Sequence, residues 1–354
     1  WLKSAQPPVG GSDLLRAQCR GGGGLMAGSS PEDLSVDDTP KVLLCGLPRG
    51  GKTSIFKVVF QKMSPHETLF LESTPKVEIS KVDRNPLVRF KVIDFPGSMA
   101  FDDTSDPMLF HRTGVVVFVV DAQDEPYTDA LTMARKGIEH AYKINPKISF
   151  DILIHKVDGD QFISDEHKNE VLRDIQTKLT DELKDKVDST ITFHCTSILD
   201  HTIFEAFSKV IQKITPHLPT LVQCLDLLIS NSRMEKAYLF DVVSKVYIAS
   251  DQQPVDIQSY ELCADMIDVV IDVSCIYGLA EDGNTLASSI ACDAKSSCVI
   301  PLHNGTLLYL REVDRCLALV CVLREEHFDR PHLVDHNIRV FKDAVKALSE
   351  LPRQ

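Results

Sequence analysis

The chain of 354 residues has one tryptophan, at position 1, and no run of 18 consecutive apolar residues. Without such a run no helical membrane span is expected. Its ten cysteines include no C-x-x-C pair and no Cys/His spacing of a metal site, which excludes a zinc finger or ribbon. Cys45 and Cys275 lie inside apolar runs, where a small buried thiol is explanation enough. A reducing, cytosolic setting is expected. Basic stripes are also missing. Lys and Arg number 38 against 51 Asp and Glu, a net charge of −13. That disfavours nucleic acid as a partner, and direct binding to anionic lipid headgroups. The terminal Leu351-Pro352-Arg353-Gln354 is not a prenylation box. The chain starts at Trp1 rather than Met, which leaves its true N-terminus, and any lipid signal there, open.

What is present suffices for two packed domains, with 44% hydrophobic residues. Residues 1–38 carry Gly21-Gly22-Gly23-Gly24 in a Ser/Pro/Asp mixture and are expected to be disordered. Residues 39–218 alternate apolar runs with helical patterns. Val42–Cys45, Val88–Ile93, Val115–Val120, Phe150–Ile154 and Ile191–His194 read as strands, and Tyr127–Tyr142 and Asp165–Leu183 as helices. That rhythm predicts an α/β fold with a mainly parallel sheet and helices on both faces. Ligands of such sheets bind at the carboxyl ends of the strands. Pro216 and Pro219 mark a boundary, and residues 219–354 read as an α+β domain with an antiparallel sheet. There Leu221–Ile229 is helical, Tyr238–Ile248 is one long strand or a hairpin broken near Asp241–Ser244, and residues 280–297 are a mobile loop. Val299–Leu302, Thr306–Glu312 and Cys316–Leu323 read as strands, with Asn304-Gly305 as a hairpin turn. Ile338, Phe341, Val345 and Leu348 define a closing helix. No catalytic constellation stands out in this part, and its apolar faces suggest dimerisation.

The chemistry gathers in the first part. Gly46-Leu47-Pro48-Arg49-Gly50-Gly51-Lys52-Thr53 fits G-x-x-x-x-G-K-[ST]. A strand-like run enters it and a helical pattern leaves it, so backbone N–H groups and a positive helix end converge on an anion. Arg49, Gly50, Gly51, Lys52, Thr53 and Ser54 are the candidate phosphate contacts, with Lys52 reaching the β- and γ-phosphates and Thr53 ligating Mg²⁺. Asp94-Phe95-Pro96-Gly97 follows a second strand. Asp94 can hold the metal through water, and the Gly97 N–H can approach a γ-phosphate. Between them, Thr74 is favoured over Ser73 and Thr68 as a metal ligand that orders its loop in the triphosphate state. His155-Lys156-Val157-Asp158 follows a third strand. The Asp158 carboxylate matches the N1–H and N2–H₂ donors of guanine, and the Lys156 stem covers the ring. Cys195-Thr196-Ser197-Ile198 follows a fourth, where the Ser197 N–H can bond guanine O6.

This ordered set resembles the G domain of Ras-like small GTPases, and more closely the Rag C/D class. The resemblance runs from about residue 40 to the end. It is carried by Lys62-Met63-Ser64-Pro65, Glu67–Thr74, Asp94-Phe95-Pro96-Gly97, His155-Lys156-Val157-Asp158 and Ile203–Lys209. Phe240–Lys245 and Asp265–Asp272 extend it into the second part. His155, where Asn is usual, is a mark of this class. The resemblance implies a GTPase that binds GTP or GDP with Mg²⁺, and a roadblock-like (longin-related) C-terminal domain that pairs with a Rag A/B-type GTPase as a heterodimer. It further implies docking on a Ragulator-type scaffold at the lysosomal surface, with the nucleus as a second location, and recruitment of the mTOR complex when amino acids suffice. The GDP-bound state would be the signalling one, reached with a folliculin-type activating protein.

Two positions depart from the pattern. Ser98 stands where the family has the Gln that orients the attacking water, so hydrolysis is expected to be slow. Pro48 replaces the usual Arg or small residue of the loop and removes a backbone donor. The alternative is a scaffold subunit whose pocket does not hydrolyse GTP. A P-loop ATPase or kinase is disfavoured by Asp158 and by the spacing.

Overall fold

The computed structural model describes residues 39–85, 87–99, 109–162, 164–184, 186–277, 297–314 and 316–351. The disorder expected over residues 1–38 and the mobile loop expected over 280–297 lie outside the described residues, except Ser297, which opens a strand.

The first sheet has six strands: β1 (Lys41–Gly46), β2 (Glu78–Asp83), β3 (Arg89–Asp94), β4 (Thr113–Asp121), β5 (Ser149–His155) and β6 (Ile191–Thr196). Their order is β2-β3-β1-β4-β5-β6. All neighbours are parallel except β2, which runs antiparallel to β3. The expected strands all form. The β1, β3, β4 and β5 runs are mainly apolar because helices cover both of their faces, with Lys91 and Asp151 as buried charges inside them. β2 was not expected, since half of its residues are exposed, Val82 alone is buried, and the alternation is weak. It is an edge strand held by register with β3, Ile79 opposite Ile93 and Lys81 opposite Lys91.

On one face lie α1 (Lys52–Gln61) and α4 (Thr202–Ile214), burying Ile55, Phe56, Val59 and Phe60 against Ile203, Phe207, Val210 and Ile211. Phe60 meets Phe90 and Phe207 edge-on, with ring centroids 5.6 and 5.5 Å apart. On the other face lie α2 (Thr128–Ile144) and α3 (Asp165–Leu183), with Leu131, Ile138, Ile175 and Leu179 buried. The i, i+4 spacing of Val171, Ile175, Leu179 and Leu183 gives α3 one apolar stripe on an otherwise charged helix.

The second sheet is antiparallel: β7 (Met234–Asp241), β8 (Val246–Ser250), β9 (Ser297–Pro301), β10 (Thr306–Asp314) and β11 (Leu317–Arg324), in the order β8-β7-β11-β10-β9. The run from Tyr238 to Ile248 is a hairpin, and its turn is tied by Asp241 accepting from the Ser244 N–H at 3.0 Å. The Asn304-Gly305 turn forms as expected, with the Leu302 N–H donating to Thr306 O at 2.8 Å. Helices α5 (Leu218–Ser232) and α7 (Pro331–Ser349) cover one face, and α6 (Ile257–Tyr277) the other, with Tyr260, Cys263 and Ile267 buried and Val270 packed at the edge. One apolar cluster runs from α1 and α4 through to α5 and α7, so the two sheets share packing. The Tyr247 N–H donates to Ser208 Oγ at 3.0 Å across that junction.

Candidate functional site

Four strand ends, β1, β3, β5 and β6, deliver the sequence motifs to one edge of the first sheet. The loop after β1 turns sharply, with Arg49 (φ 63°) and Gly51 (φ 98°) in left-handed conformations before α1 begins at Lys52. Gly51 has no substitute: a Cβ there would stand 2.7 Å from Cδ2 of His155. Lys52 is buried and donates to the carbonyls of Gly46 and Leu47, both at 2.9 Å. Burial lowers its pKa, partly offset by the charge of Asp94. Ser54 follows in the first turn of α1, half-buried.

Three oxygens converge in front of that helix. The Thr53 hydroxyl donates to Asp94 Oδ2 at 2.5 Å and contacts the Thr74 hydroxyl at 2.7 Å. Asp94 is buried, and its Oδ1 has no hydrogen-bond partner among the described residues. Burial raises its pKa, while the Thr53 hydrogen bond and the Lys52 charge oppose the rise. A buried carboxylate oxygen without a donor costs free energy unless a cation meets it. Hydroxyl and carboxylate oxygens are the donors that Mg²⁺ takes, so the three residues fit the metal. Gly97 lies against the loop after β1: a Cβ there would stand 2.2 Å from Pro48 N and 2.7 Å from Leu47 C. Ser98 is exposed in the same turn.

The third and fourth motifs form the far wall. His155 is 1% exposed, and its Nδ1 shares a hydrogen bond with Thr196 Oγ1 at 3.0 Å. Burial, with the neighbouring Lys156 charge, lowers its pKa to about 4, so the ring is neutral near pH 7. Lys156 Nζ donates to Arg49 O at 2.9 Å and pairs with Asp121 Oδ2 at 2.5 Å. Asp158 is exposed, and its Oδ1 accepts from Ser197 Oγ at 2.8 Å. The Ser197 N–H is directed otherwise than expected: it donates to Thr202 Oγ1 at 2.9 Å, and would have to leave that partner to reach a base. Ile198 follows, half-buried.

Asp121 and Gln123 belong to this wall and were missed in the sequence. The signal was available, because Asp121 closes the apolar run of β4 as Asp94 closes that of β3.

The Gtr1/RagA G protein conserved region matches residues 41–267. Ras-related GTP-binding protein C of Homo sapiens is 54% identical over 316 residues, covering 88% of this chain and 77% of the relative. Ras-related GTP-binding protein D of Mus musculus is 50% identical over 355 residues, covering 99% and 77%. GTP-binding protein GTR2 of Saccharomyces cerevisiae is 40% identical over 324 residues, covering 88% and 93%. A match over so much of the chain, on a fold with the strand order and loop geometry described, places the protein in the Gtr1/RagA family of GTP-binding proteins, as a Rag-type GTPase subunit of the C/D class.

Proposed function

We propose that the chain is a guanine-nucleotide switch that binds GTP and GDP with Mg²⁺ and hydrolyses GTP slowly. The observation that carries this reading is the meeting of the Thr53 and Thr74 hydroxyls with Asp94, whose buried Oδ1 has no hydrogen-bond partner among the described residues. A bound Mg²⁺ would neutralise charge on the β- and γ-phosphates. Lys52 and the N-terminus of α1 face the phosphates, Thr74 ties its loop to their presence, and Lys156 and Asp158 hold the base. Arg49, Gly50, Gly51, Ser54, His155, Ser197 and Ile198 line the same groove. Ser98 is too short to hold an attacking water, so a group from an activating protein of the folliculin type would complete the site. Measured nucleotide exchange tests the reading: chelating the metal should speed GDP release at least tenfold, and an unchanged rate would count against the metal assignment.

Residues 39–218 are proposed as the nucleotide-binding domain and 219–354 as a roadblock-like dimerisation domain. The outer face of α6 leaves Leu262, Val269 and Val273 exposed, and β9, an edge strand among the described residues, packs Cys298 and Ile300 toward the same helix. An open strand edge beside an apolar helix face fits a second, homologous domain that continues the sheet, here a Rag A/B-type GTPase. Through that heterodimer and a Ragulator-type scaffold the chain would relay amino-acid sufficiency to the mTOR complex at the lysosomal surface. Co-purification with a Rag A/B-type chain, lost in Val269→Asp/Val273→Asp, is the expected outcome. Retained pairing would place the interface elsewhere.

A further inference from the structure

The wall that holds Asp158 contains a brace that the nucleotide reading does not itself require. Lys156, between His155 and Asp158, has φ 65°, a left-handed conformation uncommon for a residue with a Cβ. Its carbonyl accepts from Gln123 Nε2 at 2.9 Å. Gln123 is exposed and comes from the loop after β4, thirty-three residues away in sequence. That loop is itself fixed, because the Ala122 N–H donates to His155 O at 2.8 Å and the Gln123 N–H donates to Asp121 Oδ1 at 3.0 Å. Asp121 in turn pairs with Lys156 Nζ. Both ends of Lys156 are therefore held from one loop, its ammonium by Asp121 and its carbonyl by Gln123. Gly159 makes room for this: a Cβ there would stand 2.7 Å from Gln123 Nε2.

We propose that Gln123 is a positioning residue for guanine selectivity, setting the turn from Lys156 to Gly159 and with it the direction of the Asp158 carboxylate. This rests on the assignment of Asp158 to the base. A bidentate contact to the N1–H and N2–H₂ of guanine tolerates little rotation of the carboxylate. Without the Gln123 amide, the left-handed Lys156 peptide relaxes and the contact to the 2-amino group weakens before the rest of the site is touched.

Gln123→Ala and Gly159→Ala test it from two sides. The second adds a methyl that only the end of the flexible Gln123 side chain must leave. Dissociation constants for GDP and for IDP, which lacks the 2-amino group, are measured with Mg²⁺ on the full chain co-purified with its proposed partner. Unfolding midpoints without nucleotide are recorded alongside. Each variant is expected to cut the GDP-over-IDP preference by about threefold to tenfold, the scale of one exposed hydrogen bond, with the double variant no worse than either single. A preference that stays at the wild-type ratio in both variants, with or without a change in midpoint, overturns the role of Gln123 while leaving the base reading intact. A wild-type chain that does not distinguish GDP from IDP overturns the base reading and this inference together.

Discussion

His155 packs its ring against Gly51 and Thr196, and burial holds its pKa near 4 against an ordinary 6.5. The unfolded chain therefore binds a proton that the folded chain refuses between those values, so stability present above pH 6.5 is lost as the pH falls toward 4. The full loss is about 3 kcal/mol for a shift of that size. Urea midpoints at pH 7.5 and pH 5 should fall further apart in the wild type than in His155→Asn, and equal differences would show that the folded ring takes up its proton as readily as the unfolded one. Asp158→Asn should weaken GDP binding roughly a hundredfold, as expected on losing a charged acceptor for two donors, and should shift preference toward xanthine nucleotides. An unchanged guanine preference would remove Asp158 from the base site. Ser98→Gln should raise single-turnover GTP hydrolysis by roughly tenfold or more, the scale of one well-placed polar group. No increase would mean that this side chain does not place the water.

Among the elements, α4 carries the load between the two sheets, and one buried charge fixes its end. Asp151 on β5 is fully buried and accepts from Lys213 Nζ at 2.8 Å through both oxygens, from Thr192, and from His194 Nε2 at 3.3 Å. Burial alone would raise its pKa, yet the His194 hydrogen bond and the Lys213 charge hold it below the ordinary carboxylate value. Asp151→Asn leaves Lys213 without its counter-ion and should cost about 2–4 kcal/mol, read as a lower unfolding midpoint. A loss under 0.5 kcal/mol would show the pair to be incidental. Nothing in the sequence pattern marked Asp151, because a carboxylate inside an apolar strand looks like an interruption until β6 and α4 supply its partners. The strands and the P-loop were legible for the opposite reason: continuous apolar runs and glycine spacing are local. β2 was not, since this edge strand buries only Val82 fully and so imposes no alternating pattern. Thr53, Thr74 and Asp94 could be listed from the motifs, but their meeting within hydrogen-bond distance depends on the order β3-β1-β4, which only the sheet provides.

The whole molecule is a nucleotide-binding sheet joined through a shared apolar core to an antiparallel sheet whose covering helix α6 turns apolar residues outward. That helix surface, with Leu262, Val269 and Val273 exposed, predicts a chain that aggregates or unfolds when expressed alone and behaves when co-expressed with the proposed Rag A/B-type partner. A stable, monodisperse monomer at dilute concentration would contradict that. Everything else in the proposed switch depends on the groove at the carboxyl ends of β1, β3, β5 and β6 taking a guanine nucleotide. Direct titration of the purified protein with GDP, GTP and ADP, with and without Mg²⁺, therefore decides most. Binding of GDP and GTP at micromolar concentration or tighter, weakened when Mg²⁺ is removed, with ADP excluded, is the expected result. Failure to bind either guanine nucleotide at micromolar concentration, or equal affinity for ADP, would contradict it.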